Sequence, residues 1–136
     1  MTHLAKGTFE VAIKPLEGPD SINGISLGRI SIDKTISGDL VATTKGQMLS
    51  ALTSVQNSAG YVAIERVSGT LHGNEGSFVL QHSGTMNRGA AQLSVTVVPD
   101  SGTGELTGIH GEFKIVIEGG KHSFEFEYWF DETGTT

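Results

Sequence analysis

Two residues with complementary chemistry, Glu65 and His82, lie in neighbouring apolar runs of the chain. The runs read GYVAIERVSGTL and SFVLQHSGTM. A carboxyl group and an imidazole held together away from water can act as general acid and base, or can anchor the polar group of a ligand. Their burial and mutual interaction would also perturb both protonation equilibria. We therefore take Glu65 and His82 as the candidate catalytic pair. An alternative of equal weight is that they satisfy each other in a purely structural role.

The segment HGNEG between the two runs predicts a β-hairpin, because Gly and Asn favour tight turns between strands. If Gly73 and Asn74 form the two-residue turn, Glu65 faces His82. Alternate side chains of a strand point to the same side, so both residues share the face of Phe78, which we expect to be buried. The pattern thus points the acid and the imidazole inward together.

Alternation of apolar and polar residues continues along the chain and predicts about eight antiparallel strands without a long helix. The 19 Gly and 3 Pro are spread between and within these strands rather than gathered in a linker. Glycines inside strands favour a closed, strongly coiled sheet. The predicted fold is therefore an all-β, eight-stranded antiparallel β-barrel, with a β-sandwich as the alternative. The predicted strands cover residues 7–14, 25–37, 40–52, 60–71, 77–86, 91–98, 106–118 and 122–130, with an open choice of a short helical turn at 47–55 and a loop or irregular edge at 15–24.

A barrel of this size is just wide enough to be filled by side chains or to hold one small ligand. The first hypothesis is that it binds a small lipophilic molecule, with or without a conversion of the isomerase or cyclase type. The second is a filled structural barrel that acts through oligomer or protein contacts, with Trp129 as the candidate contact residue. The residues predicted to line a ligand are Tyr61, Phe78, Leu80, Phe126 and Tyr128.

Composition excludes several other classes of function. The formal charge is -6 at pH 7 and no basic run occurs, so nucleic acids and anionic membranes are poor partners. The chain has 0 Cys, which excludes disulfides and thiol nucleophiles and fits a cytoplasmic location. The five histidines show neither H-x-H nor H-E-x-x-H spacing, so we expect no metal centre, and the chain contains no cofactor motif. We expect residues 1–136 to form a single domain.

Three segments together carry a resemblance that covers essentially the whole chain: GYVAIERVSGTLHGNEGSFVLQHSGTM, VVPDSGTGELTGIHG and HSFEFEYWF. They resemble a family of small bacterial proteins known as a domain of unknown function. The resemblance implies an allene oxide cyclase-like barrel, a fold shared with plant enzymes that bind an unsaturated fatty-acid epoxide. The resemblance to those enzymes is at the level of the fold and does not match their catalytic motif residue by residue, so it implies no catalytic assignment.

Overall fold

The structure is a computed structural model that describes residues 1–16 and 20–131. Strand is the only regular secondary structure among these residues. No helix with the length and apolar character of a membrane span occurs in the described ranges. The strands are β1 (His3–Pro15), β2 (Asp20–Ile22), β3 (Ile25–Gly38), β4 (Leu40–Leu52), β5 (Ala59–Leu71), β6 (Asn74–Asn87), β7 (Ala90–Val97), β8 (Thr103–Gly104), β9 (Ile109–Glu118) and β10 (Lys121–Phe130).

Eight of these strands close into an antiparallel barrel. Their order is β1-β10-β9-β7-β6-β5-β4-β3, and β3 pairs back onto β1. The short β2 and β8 pair outside this ring with β3 and β6. The predicted barrel is confirmed and the sandwich alternative is wrong. Residues 47–52 continue β4 rather than forming a helical turn, and the predicted loop at 15–24 contains β2, although its residues 17–19 lie outside the described residues.

The turn between β5 and β6 lies one residue earlier than the sequence predicts. His72 and Gly73 form it, with φ of 48° and 82°, as a tight hairpin turn with two left-handed residues requires. Glu65 therefore lies opposite Leu80, and His82 lies opposite Ala63. The predicted pairing of Glu65 with His82 is thus wrong by two residues, an even shift that leaves both on the predicted inner face.

Stacked aromatic rings fill one half of the barrel, next to the β5–β6 turn, and we call this half the packed end. Phe113 and Phe124 stack with ring centroids 4.9 Å apart, and Phe78 and Phe126 stack at 5.5 Å. Aliphatic side chains from every barrel strand except β10 complete this core. Such close packing excludes water and supplies most of the burial that stabilises the fold.

The opposite half, next to the β9–β10 turn, has an incomplete wall, and we call it the open end. Pairing of β1 with β10 stops at Thr8 and Ser123, while β7 and β9 share one bridge pair in the described chain. Three inward-facing side chains here are exposed, Ile13 at 58%, Leu93 at 47% and Ile117 at 63%. Leu93 lies on the predicted inner face but is not covered. Since an inward side chain can be exposed only where the interior is accessible, the barrel is open at this end.

Candidate functional site

Glu65 is the centre of a buried polar cluster between the packed and open ends. Its Oε1 atom lies 2.7 Å from His82 Nε2 and 3.1 Å from Lys34 Nζ. Glu65 is 0% exposed and His82 is 3% exposed, because β5 and β6 direct both side chains into the barrel. The structure therefore brings the two predicted residues together as diagonal neighbours on adjacent strands. Their catalytic role stays a prediction.

Lys34 is a member of this cluster that the sequence analysis missed. It lies on β3 with Ile32 and Ile36 on the same inward face, and its side chain is almost fully buried. Its ammonium group lies 5.0 Å from the centre of the Phe9 ring, while its backbone N–H donates to the Thr44 hydroxyl over 3.0 Å. The sequence does indicate this position, because Lys34 alternates in step with Ile32 and Ile36 and therefore points to the same inward face of the strand.

The surroundings of Glu65 keep its carboxyl group ionised. Burial alone would raise its pKa, but the hydrogen bond from His82, the charge of Lys34 and the Thr44 hydroxyl outweigh burial and lower the pKa to about 2. The other carboxylate oxygen, Oε2, is buried and has no hydrogen-bond partner among the described residues. The Thr44 hydroxyl is the side-chain group that acts on this carboxyl group besides His82 and Lys34.

Tyr61 extends the cluster toward the open end. Its hydroxyl lies 3.4 Å from His82 Nδ1, and its side chain is partly exposed. With Nε2–H of His82 donating to Glu65, the other ring nitrogen, Nδ1, either accepts from the Tyr61 hydroxyl or, when it carries a proton, donates to the Tyr61 oxygen. Burial and the charge of Glu65 raise the pKa of Tyr61, so its hydroxyl stays protonated. We call Lys34, Glu65, His82 and Tyr61 the open-end cluster.

Gly84 makes room for the Tyr61 ring. A Cβ atom at Gly84 would lie 2.6 Å from Tyr61 Cε1 and 3.2 Å from a methyl group of Leu93. Real Cβ atoms do not approach so closely, so any larger residue would push the tyrosine ring aside. The direction of the Tyr61 hydroxyl toward His82 therefore depends on a glycine on the neighbouring strand.

The residues predicted to line a ligand lie in two separate places. Tyr61 borders the open-end cluster, whereas Phe78, Leu80 and Phe126 are fully buried in the packed core. Tyr128 is also buried but lies at the packed end, where its hydroxyl forms a short hydrogen bond with His72 Nδ1. Their role in ligand binding stays a prediction, and the structure gives four of them a role in core packing.

A second polar cluster lies at the packed end. His72 Nε2 lies 3.7 Å from Asp39 Oδ2, and both side chains are more than a third exposed. Burial, followed by the charge of Asp39, raises the pKa of Tyr128. We call Asp39, His72 and Tyr128 the packed-end cluster. The predicted contact residue Trp129 is partly exposed beside this end and stacks on His110 at 6.0 Å.

Two of the three cavities with described linings lie on the outer face of the barrel, and the largest lies at the gap between β1 and β10. This largest cavity, about 570 Å³, lies where β10 begins beside β1, and its lining includes Phe9, Val11 and His122, which have the inward parity of their strands. The second, about 370 Å³, lies over Lys45 and Arg66. None of the three is lined by Glu65 or His82. Size alone therefore does not identify the site, and the buried charges of the open-end cluster are the stronger indicator. The described residues contain no group of three His, Asp or Glu side chains placed to hold a metal ion.

The fold and the cluster define a small antiparallel β-barrel with a charged interior at one open end. The chain belongs to the family described as "Protein of unknown function (DUF3224)", which matches residues 5–128. It is 47% identical to a protein of unknown function from the same family in Shewanella oneidensis MR-1, known from a crystal structure at 1.84 Å resolution. The two structures superpose with a TM-score of 0.91 over 96% of this chain and 99% of the other. No curated protein matches the chain.

These comparisons confirm the resemblance to a bacterial family of unknown function. The narrower expectation of an allene oxide cyclase-like grouping stays a prediction. Since the relative has no stated activity, any function must be argued from the residues of this chain.

Proposed function

We propose that the barrel binds one small, mostly apolar molecule in its open end, with the polar part of that molecule against the open-end cluster. The observation that carries the proposal is the exposure of inward-facing apolar side chains directly beyond a fully buried Glu65. Apolar walls around a few placed polar groups are the usual composition of a small-molecule site. A filled structural barrel has no need of a charged group at the boundary between its core and an open mouth.

The open end is a better place for a ligand than the aromatic core. Phe78 and Phe126 are 0% exposed and stack on each other, so a molecule there would have to displace packed rings. At the open end, Ile13, Leu93 and Ile117 already face the interior and are in contact with solvent. Covering them with a ligand would remove apolar surface from water at about 25 cal/mol per Å².

The same cluster supplies the groups needed for proton transfer. The Tyr61 hydroxyl is a neutral donor at the mouth, His82 Nδ1 is the acceptor behind it, and Glu65 stabilises a positive charge on the imidazole. Conversion of an unsaturated ligand by moving a proton, as in an isomerase or cyclase, would run through the Tyr61 hydroxyl: its oxygen would accept a proton from the ligand as its own proton passes to His82 Nδ1, and the reverse transfer would return a proton to another atom of the ligand. We include this reaction in the proposal as the chemistry that a bound ligand would meet.

Mass spectrometry of the gently purified protein under native conditions tests the binding proposal first. We expect a bound small molecule that is released on denaturation. A second measurement titrates the protein with a fluorescent hydrophobic probe and compares His82→Ala and Tyr61→Phe with the wild type. Both variants should fold and bind the probe more weakly, because they alter the polar base of the mouth.

Tyr128→Phe is the matched control for this experiment. It removes one tyrosine hydroxyl bonded to a histidine, but at the packed end. It should leave probe binding unchanged. Equal probe affinity in the wild type, His82→Ala and Tyr61→Phe would reject the open end as the binding site.

The outer face of the barrel favours a second candidate function, assembly with another copy of this chain. Leu27, Leu49, Val62 and Ile64 lie on neighbouring positions of β3, β4 and β5, and each is about half exposed. A two-fold contact through this face would bury the same apolar patch on both copies. Sedimentation of the wild type and of Val62→Lys tests it, with Trp129→Ala as the comparison for the contact predicted from sequence. Val62→Lys should dissociate the assembly, and a monomeric wild type at high concentration would contradict this candidate.

A further inference from the structure

The outer face of the barrel carries two cations side by side. Lys45 on β4 lies directly opposite Arg66 on β5, and both side chains are exposed. Like charges in directly opposed positions of an antiparallel pair repel each other. In the described part of the chain, neither residue forms an ion pair, although Asp33 lies opposite Lys45 on β3. The two positive charges are therefore available to an anion from solution.

A cavity of about 370 Å³ lies over these two cations. The other residues of its lining are Thr43, Ile64, Ser68 and Val79. Thr43 and Ser68 lie opposite each other, one step along the strands from the cations, so two hydroxyl groups flank the charges. On the other side of the charges Ile64 is 52% exposed. No acidic side chain is among the described residues of the lining, which combines cationic and hydroxyl donors with a small apolar surface.

The strands that carry this cavity are continuously paired. β4 pairs with β5 along its whole length, and β5 pairs with β6 in the same way. Side chains at alternate positions of such a ladder face the same side at a fixed spacing. Binding of an anion therefore needs a change of side-chain rotamers and no movement of the backbone.

The donors also indicate the class of anion. A guanidinium group presents a planar fork that binds two oxygens of one anion, and an ammonium group adds a point charge. A phosphate monoester has three terminal oxygens and carries about two negative charges above its second pKa, so it matches two adjacent cations better than a carboxylate does. Apolar surface at Ile64 favours an ester with an organic group over inorganic phosphate.

We propose that this cavity binds a small phosphate monoester, with the phosphate between Lys45 and Arg66 and the organic group over Ile64. We call it the outer anion site. The formal charge of -6 opposes the approach of a polyanion, whereas one phosphate group is neutralised by the two cations alone. The site lies on the outside of the barrel, so the proposal does not depend on the function proposed for the open end.

Three probes test the class of anion: phenyl phosphate, inorganic phosphate and benzoate. Each is titrated into the intact protein at constant ionic strength set with chloride, and affinity is measured from shifts of backbone amide resonances. We expect phenyl phosphate to bind about threefold more tightly than inorganic phosphate, because it covers apolar surface. Benzoate should bind weakest. Shifts should concentrate at Lys45, Arg66 and Ser68, and shifts no larger than those caused by added chloride would overturn the site.

Substitutions of exposed residues test which side chains bind the phosphate. Arg66→Gln should lower the affinity for phenyl phosphate about tenfold, the effect of a lost charge-assisted hydrogen bond. Lys45→Met should lower it about threefold. The matched control is Lys114→Met, since Lys114 is also exposed on the outer face but has an acidic partner, Glu127, at 4.0 Å. The control should bind as the wild type does, and an equal loss in all three variants would overturn the site.

Ile64→Thr separates the apolar contact from the phosphate contact. The variant should bind inorganic phosphate as the wild type does, while phenyl phosphate loses its advantage. Thermal unfolding gives a second measurement that requires no titration. Without phosphate, Lys45→Met should unfold at a higher temperature than the wild type, because the repulsion from Arg66 is removed. With phosphate the wild type should gain more than the variant, and equal gains would contradict the proposal.

Vesicles that contain phosphatidic acid distinguish a soluble ester from a lipid headgroup, since both present a phosphate monoester. We expect the protein to stay in the supernatant when the vesicles are sedimented. Sedimentation with the vesicles that Arg66→Gln abolishes would overturn the assignment to a soluble molecule. Tighter binding of benzoate than of phenyl phosphate, or equal affinity in the wild type and Arg66→Gln, would overturn the phosphate site itself.

Discussion

Carboxylate, imidazole and phenol come together twice in this barrel, once at each end, in opposite orders of burial. In the open-end cluster the carboxylate is fully buried and the phenol reaches the mouth. In the packed-end cluster the phenol is buried, while the imidazole and carboxylate are 38% and 47% exposed. Solvent therefore reaches the tyrosine at the open end, whereas it reaches the histidine and the aspartate at the packed end.

This difference in burial determines what each cluster can contribute. Water screens the exposed Asp39–His72 contact, so it adds little to stability. The buried Glu65 cannot be solvated and depends on Lys34 and His82, which together hold its pKa at about 2. Burying a charge of this kind costs free energy of desolvation, which favours a functional reason for its presence. The comparison therefore favours the open end over the packed end as the place of the proposed binding function.

Removing the buried carboxylate should have the largest effect on stability. Glu65→Leu leaves the Lys34 ammonium buried without its partner, and we expect a loss of about 3 to 5 kcal/mol in urea unfolding. The exposed counterpart, Asp39→Leu, should cost less than about 1 kcal/mol. The double variant Lys34→Met/Glu65→Leu should recover most of the loss. Similar costs for Glu65→Leu and Asp39→Leu would remove the contrast between the two ends.

Acid should unfold the protein partly through the same residue. The pKa of Glu65 is lower in the folded protein, about 2, than its ordinary value of 4.5, so the folded state binds fewer protons as pH falls. The stabilisation is fully present above pH 4.5 and is lost as the pH falls toward 2. It amounts to roughly 3 kcal/mol.

Unfolding measured from pH 6 to pH 2 checks this dependence, with Glu65→Gln as the control that has no charge to titrate. The wild type should lose more stability over this range than Glu65→Gln does. Parallel curves for the two proteins would show that Glu65 has an ordinary pKa.

A methyl group at Gly84 tests the geometry of the mouth with a smaller effect. Gly84→Ala would place a carbon 2.6 Å from the Tyr61 ring, so the ring must move and its hydroxyl must leave His82. We expect a loss of about 1 to 2 kcal/mol and weaker binding of the hydrophobic probe. Gly60→Ala is the matched control, because its added carbon would meet its nearest neighbours at 3.7 Å and 3.8 Å. Unchanged probe binding in Gly84→Ala would separate Tyr61 from the site.

The two tyrosine hydroxyls should show the smallest difference in stability. Tyr61→Phe and Tyr128→Phe each remove one hydrogen bond to a histidine, at a cost of about 1 kcal/mol or less. The two unfolding midpoints should therefore nearly coincide, although probe binding differs. A much larger loss for Tyr61→Phe would indicate that its hydroxyl supports the core rather than a ligand.

The sequence was sufficient to predict the fold and the faces of its strands. Alternation around Phe78 and Leu80 correctly placed Glu65 and His82 inside, since a residue's face depends on parity along the strand and survives an even shift of register. The register itself was wrong, because His72 takes a left-handed conformation that residue statistics assign more readily to Gly and Asn. The position of the turn thus depends on the conformational cost of a left-handed His72, which strand pairing in the rest of the hairpin offsets.

Two features of the site required coordinates. Lys34 has the inward parity of its isoleucine neighbours, but a lysine in that position is ordinarily assigned to the surface until its buried partner is known. Exposure of Leu93 could not be predicted either, since it depends on which distant strands fail to pair. The pattern along one strand determines which way a side chain points. Closure of the barrel determines whether that side chain is buried.

In the part of the chain that the structure describes, β7 and β9 share one bridge pair, Thr96 with Glu112, so this seam of the barrel is weakly paired. Local opening there breaks few backbone hydrogen bonds, so we expect amide protons along Ala90–Val95 to exchange with solvent long before those of β5. The aromatic half should stay folded during these local openings.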